Sequence, residues 1–255
     1  PLANRLKGGV SEIPDMLRLL QANPTRVKYA SESARILASS AYTHGQAVEV
    51  WTLSPSSFEY TNFLNWLVTQ IPSPKETRRI AVSRIRNDLS TVIYVQVGSD
   101  AMLFGGDLEE EGKLHTGWSA ILGNATRPGG LASLFKVPHH GSETGDHPDV
   151  WSRMLGPEPF AILAPFQKGR HSIPGGTQVT RILSRTPNAF SSRSLAGRAR
   201  KRLDPAVERT IKQAAKSFET FDQTPGMIRL RRPIGSTAPW IPELFNAVHL
   251  SKIYE

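Results

Sequence analysis

Along the chain, apolar positions switch between a helical spacing of three to four residues and a strand spacing of two. Ile13, Met16, Leu17, Leu19 and Leu20 form a one-sided stripe, with Ser11 placed to cap it and Pro14 tolerated in its first turn; this predicts a helix up to about Ala22. Residues 26–29 read as a short strand and 32–40 as a small second helix. Alternation over 47–53 predicts a strand stopped by Ser54-Pro55-Ser56, and 58–71 an amphipathic helix bounded by Pro72 and Pro74. The apolar runs 89–97 and 101–104, joined by Gly98-Ser99-Asp100, predict two antiparallel strands. Beyond them 118–122, 148–155 and 177–184 read as helices, 132–137 and 160–165 as buried strands, 205–218 as a basic amphipathic helix, 227–232 as a late strand and 244–250 as a final element. Polar loops follow strand ends, which is where layered α/β folds build their sites.

Size and composition narrow the class. The 255 residues, 39% hydrophobic, can bury one large core or two small ones. The economical organisation is a body over 1–190, a basic loop and helix over 191–220, and closing strands of the same body over 221–255. No apolar run approaches the roughly 18 to 20 residues of a membrane-spanning helix, and no secretion signal follows Pro1-Leu2-Ala3-Asn4-Arg5, so the expectation is a cytoplasmic protein without a membrane partner. The start, without methionine, reads as incomplete. Cysteine is absent, which excludes disulfides, thiol nucleophiles and cysteine-held metals and leaves His, Asp and Glu as donors. The chain carries a net charge of +9, of which +6 lies in residues 193–216, where eight basic residues meet only Asp204 and Glu208.

Two segments carry candidate chemistry. In Pro138-His139-His140-Gly141-Ser142, two adjacent histidines follow a buried strand and cannot both point into a core. In Phe104-Gly105-Gly106-Asp107-Leu108-Glu109, a carboxylate follows another buried strand across a flexible turn. Taken alone, the histidines would be a surface pair and Asp107 a helix N-cap. Together, at two strand ends about thirty residues apart, they form a constellation that points to a metal.

These segments also carry a resemblance. From Val48 to Arg231 the chain resembles the second half of a metallo-β-lactamase-fold hydrolase, and is close in pattern to the lactamase-like domain of bacterial DNA-uptake channel proteins and its stand-alone relatives. The matching pieces are Val50-Trp51-Thr52-Leu53-Ser54-Pro55, Asn87-Asp88-Leu89-Ser90, Phe104-Gly105-Gly106-Asp107-Leu108-Glu109, Lys136-Val137-Pro138-His139-His140-Gly141-Ser142, the strand at 160–165 and the closing strand at 227–230. The resemblance implies an α/β (α+β) chain with an αββα sandwich and one or two metal ions, usually zinc and sometimes manganese, at the strand-end edge. It implies that Asp107 bridges metals, that one histidine of the dyad closes the site, His140 being favoured over His139, and that His171 flanks the substrate. Its chemistry would be attack by a metal-bound hydroxide.

One part of the family's pattern is missing: the first-half run of His and Asp ligands. Gly8-Gly9-Val10 looks like the segment that should follow that run, yet the residues before it offer no donor beyond Asn4. Either the ligand-bearing half lies upstream, or the site has decayed and the scaffold survives. His44 reads as a turn residue or a middle ligand, His115 as a possible substrate neighbour, His147 as a helix cap and His249 as structural. The five tryptophans read as core or sheet cover.

The basic stretch, with Arg193, Arg198, Arg200, Lys201 and Arg202 at its head, suits a nucleic-acid backbone contacted without sequence preference; an acidic partner subunit is the competing reading. The expected function is a metal-dependent phosphodiesterase or nuclease acting on nucleic acid or a nucleotide, completed by ligands not present in this chain, with a partner protein in a defence or DNA-processing assembly among the expected partners. The alternatives are an inactive scaffold that binds nucleic acid or a partner protein through the basic arm, and an ester or thioester hydrolase.

Overall fold

A computed structural model describes residues 12–24, 27–40, 46–71, 87–168, 171–195, 204–214 and 226–253. Gly8-Gly9-Val10, Asn4, Ser11, His44, Arg198, Arg200, Lys201 and Arg202 lie outside the described residues. The chain divides into two compact units, Pro1–Ala30 and Ser31–Glu255. The first contains helix α1 (Glu12–Ala22), over the stripe read from the sequence.

The second unit is α/β and is organised on one mixed sheet of eight strands. Its antiparallel half comprises β1 (Ala34–Ser39), β2 (Val48–Thr52), β3 (Ile93–Val97) and β4 (Asp100–Phe104), each paired with the next. Helix α2 (Ser57–Gln70) is inserted after β2. The parallel half continues through β5 (Ala132–Lys136), β6 (Leu155–Leu163) and β9 (Ala189–Ser191), and β12 (Val248–His249) closes the edge antiparallel to β9. Helices α3 (Gly117–Gly123), α4 (Pro148–Arg153) and α5 (Gly176–Leu183) lie in the connections between the parallel strands, as a parallel crossover requires. Two hairpins stand apart from the main sheet: β7 (Phe166–Lys168) with β8 (His171–Ile173), and β10 (Met227–Arg231) with β11 (Ile241–Phe245). Helix α6 (Pro205–Ala214) lies in the basic segment. Among the described residues no helix is long and apolar enough to cross a membrane.

The core explains the parallel half. Leu103, Phe135, Ala161 and Ala189 are register partners across β4, β5, β6 and β9, and none is more than 2% exposed. Against them pack Trp118 and Ile121 of α3, Val150 and Trp151 of α4, and Val179 and Ile182 of α5. Phe135 meets the rings of Trp118 and Trp151 edge-on at 6.3 and 5.3 Å. Each such side chain removed from water contributes about 1.5–3 kcal/mol, so the carboxyl ends of β4, β5, β6 and β9 are held in rigid register.

Three readings are corrected. Residues 32–40 form the edge strand β1 and not a helix: pairing with β2 overrides the helix propensity of Ala-Arg-Ile-Leu-Ala. The described part of 26–29, residues 27–29, holds no regular element. The strand placed at 160–165 begins at Leu155, running through Pro157 and Pro159, and so extends over the end of the helix read at 148–155.

Candidate metal-binding site at the carboxyl edge of the sheet

The site is built where four parallel strands end together. After β4 the turn Gly105-Gly106 delivers Asp107, and after β5 Pro138 delivers the dyad in a single 3-10 turn, His139–Gly141. Gly106 has φ +56°, and a Cβ there would sit 2.7 Å from the Thr91 carbonyl oxygen, so only glycine lets the turn pass this close to its neighbour. The dyad turn is held in the left-handed region for three residues running, with φ of 42° at His139, 57° at His140 and 83° at Gly141. Non-glycine residues in this region each cost about 1–3 kcal/mol and occur where surrounding contacts enforce them.

Those contacts give the two histidines different environments. His140 Nδ1 lies 2.6 Å from the carbonyl oxygen of Ala164, just after β6. A carbonyl only accepts, so Nδ1 carries the hydrogen. In the neutral ring Nε2 is then a bare lone pair, and it faces Asp107 Oδ1 at 3.9 Å. The ring also lies against Phe166 of β7, with centroids 5.3 Å apart. The imidazole is 27% exposed and the carboxylate 47%, so the pair opens to solvent.

His139 is engaged elsewhere. Its Nδ1 lies 3.0 Å from Glu109 Oε1, 3.0 Å from Ser142 Oγ and 3.2 Å from Thr144 Oγ1. Asn87 donates from Nδ2 to Glu109 Oε1 at 3.0 Å, and the same nitrogen lies 3.4 Å from His139 Nε2. The backbone N–H of His139 donates to Gly106 at 3.1 Å, tying the dyad turn to the Gly-Gly turn. The structure therefore brings together Asp107 with His140, and His139 with Glu109.

Of the remaining sequence candidates, His171 opens β8 and pairs with Lys168, at the end of the hairpin away from the Phe166–Ile173 pair, so the structure does not bring it to Asp107 and His140. Arg193 follows β9, its backbone held by the Ser191 hydroxyl, and the basic segment thus leaves the sheet at the edge that carries Asp107 and His140. The His115 ring lies 6.0 Å from that of Phe58, tilted by 47°. His147 caps α4, its Nδ1 accepting from Asp149 N at 3.1 Å, and His249 packs edge-on against Phe190.

Three groups were not singled out by sequence reasoning. Glu109 and Asn87 stand in quoted motifs, but their partnership with His139 is non-local. Lys136, at the end of β5, donates to the Val137 carbonyl at 2.8 Å. Burial pushes its ammonium below the ordinary lysine range, and the Asp107 carboxylate works in the opposite direction.

The donor chemistry of Asp107 and His140 suits zinc or manganese: a carboxylate, and a neutral imidazole oriented through its other nitrogen by a carbonyl. Two donors on one tetrahedral zinc stand about 3.3 Å apart, so the 3.9 Å separation closes with a small side-chain adjustment. Among the described residues no group of three or more His, Asp or Glu is placed to hold an ion, and two donors are fewer than the three or four that zinc takes from a protein. Compared with known proteins, the chain matches no family model, no curated protein and no solved structure.

Proposed function

We propose that this chain is the second half of an αββα metallo-β-lactamase sandwich whose sheet edge carries a metal-dependent hydrolase site of the phosphodiesterase or nuclease class. The observation that supports this reading is the opposition of Asp107 Oδ1 and His140 Nε2, with Nδ1 of the same ring committed to Ala164. An imidazole nitrogen and a carboxylate oxygen facing each other across 3.9 Å can both act as donors to one cation placed between them. A divalent ion would supply Lewis acidity toward a phosphoryl oxygen and lower the pKa of water. Asp107 and His140 would hold it together with donors from outside the pair. The Ala164 carbonyl and Phe166 keep the His140 ring from rotating away, while Glu109, Asn87 and Ser142 engage His139 and fix the turn from the other side. His171 lies on the β7–β8 hairpin, whose other end packs Phe166 on His140, and under this reading it would flank the substrate.

The test is metal content and hydrolysis measured on the same preparations. After dialysis against zinc or manganese, the full-length protein, with whatever donors complete the pair, is expected to retain the ion and to hydrolyse bis(4-nitrophenyl) phosphate. Asp107→Ala and His140→Ala in that protein should each lose both properties without loss of fold. Full-length protein that retains no ion and shows no hydrolysis overturns the proposal.

A second reading, a scaffold that binds nucleic acid or a partner protein, draws on the +6 concentrated in residues 193–216. It predicts nucleic-acid or partner-protein binding that is indifferent to Asp107→Ala.

A further inference from the structure

A cleft of about 320 Å³ lies between α2 and the loops that follow β4 and precede β3, at the lower end of the ~300–1,000 Å³ typical of small-molecule sites. One wall is aromatic. Phe58, Phe63 and Trp66 line the cleft from α2 at helical spacing, with the Phe63 and Trp66 rings 6.0 Å apart and tilted 33°. The helix is fixed at its start: Glu59 closes a capping box with Ser56 and also accepts from the N–H of Gly117 at 2.8 Å, so this wall is tied to α3.

The opposite wall is acidic: Asp88, Glu109 and Glu111 come from the loops, Glu59 joins them from α2, and Lys113 is the only cation among the lining residues, a formal charge of −3 within a chain of +9. These carboxylates are engaged within the protein: Glu59 holds two backbone N–H groups, Glu109 holds Asn87 and His139, Glu111 holds Lys113 at 2.6 Å, and the charge of Asp88 acts on Lys113. Among the described residues no three of them converge on one ion, so a bare metal has no ready ligand set here. What the cleft still offers a ligand is π-faces and a negative field. Aromatic faces attract cations through their quadrupole, and an anion would be repelled from the same place.

We infer that this cleft binds an organic cation, an ammonium or guanidinium group seated against Phe63 and Trp66 and facing the carboxylate wall. The site shares Glu109 with the His139 network but does not depend on the hydrolase reading, since neither Asp107 nor His140 lines it.

Ligand-observed NMR and calorimetry with choline, agmatine and an arginine blocked at both ends test the inference. The controls are 3,3-dimethyl-1-butanol, the neutral isostere of choline, and inorganic phosphate. Choline should bind about 3- to 30-fold more tightly than its isostere, the range a cation–π contact supplies, and phosphate should not bind. Trp66→Phe, which keeps a π-face, should retain most of the affinity, while Trp66→Leu should lose about the same factor. Preference for agmatine would assign the cation to a free amine, and preference for the blocked arginine to a peptide side chain. Equal binding of choline and its isostere, binding of phosphate in the cleft, or equal affinity in Trp66→Phe and Trp66→Leu would each overturn it. If Trp66→Leu does not fold, the choline and isostere comparison on wild-type protein decides alone.

Discussion

The guanidinium of Arg181 reaches from α5 to the turn that carries His140, donating to the carbonyl oxygens of Gly141 at 3.3 Å and Ser142 at 2.8 Å. Its Nε lies 3.2 Å from Asp146 Oδ2, and Asp146 in turn accepts from the Trp151 indole at 2.9 Å. A positively charged clamp thus joins α5, the dyad turn and α4. It compensates in part for the left-handed backbone at His139 and His140, because two carbonyls of the turn have a charged donor in place. Arg181→Leu is expected to cost about 2–3 kcal/mol, since it strips these bonds and leaves Asp146, 14% exposed, without its cation. Urea denaturation checks this; a midpoint unchanged within error would show that the clamp contributes nothing.

Gly141 is the second point where the turn is over-determined. Its φ of +83° disfavours any side chain, and a Cβ would stand 2.9 Å from Leu163 Cδ2 and 3.3 Å from Ile182 Cδ1, both core atoms. Gly141→Ala combines backbone strain with overpacking, and the expected loss is about 2–4 kcal/mol. Gly129→Ala, where a Cβ meets nothing within 4 Å, is the matched control and should lie near zero on the same thermal melts.

How much of this was legible beforehand differs between fold and site. The strands β3, β4 and β5 carry their own signal, because each is a run of apolar residues that places Tyr94, Ala101 and Leu103, or Leu134 and Phe135, in the core. Strand β1 carries none: Ala34-Arg35-Ile36-Leu37-Ala38-Ser39 is half exposed at an edge, and pairing with β2 decides its state. The three-residue strands β7, β8 and β9 are too short for any period to register. At the site, Asp107 and the dyad stood out because Gly-Gly and Gly-Ser turns mark strand ends. The choice between the histidines did not, since it rests on Ala164, whose only contribution is a backbone carbonyl 24 residues away. The Arg181 clamp was hidden for the same reason. Two of its three partners are main-chain oxygens, which leave no trace in residue type, and the third, Asp146, lies 35 residues away in sequence.

Lys136 gives the fold a dependence on pH. Its folded pKa is depressed by burial, with Asp107 opposing, so between that value and the ordinary lysine value of about 10.4 the unfolded chain binds more protons. Stability contributed by this position therefore rises with pH through that window, and the full cost is present below it. Lys136→Met removes the cost. It should raise stability at pH 7, on the order of 1 kcal/mol, and the advantage should vanish as pH approaches the unfolded lysine pKa. Chemical denaturation of both proteins at pH 7 and pH 10 separates the outcomes; a difference independent of pH would assign the effect to packing.

The basic arm makes the last prediction, and it turns on salt. Arg193 leaves β9 at the carboxyl edge of the sheet, beside the strand whose end supplies the Ala164 carbonyl to His140, and the nucleic-acid reading assigns a phosphate backbone to the basic residues 193–202. Contacts of this kind release counterions, and each contributes about −0.9 to the slope of log K against log salt on duplex DNA and about −0.7 on single strands. Replacing Arg198, Arg200 and Arg202 with Gln should therefore make the slope shallower by about 2 to 3 units, with a loss of affinity near 0.1 M salt of about 100- to 1,000-fold. Because none of these contacts reads bases, the loss should be equal for unrelated sequences of the same length. Fluorescence anisotropy across a salt series measures both quantities. An unchanged slope in the triple variant would remove the arm from nucleic-acid binding, and a loss confined to one sequence would show that the arm reads bases after all.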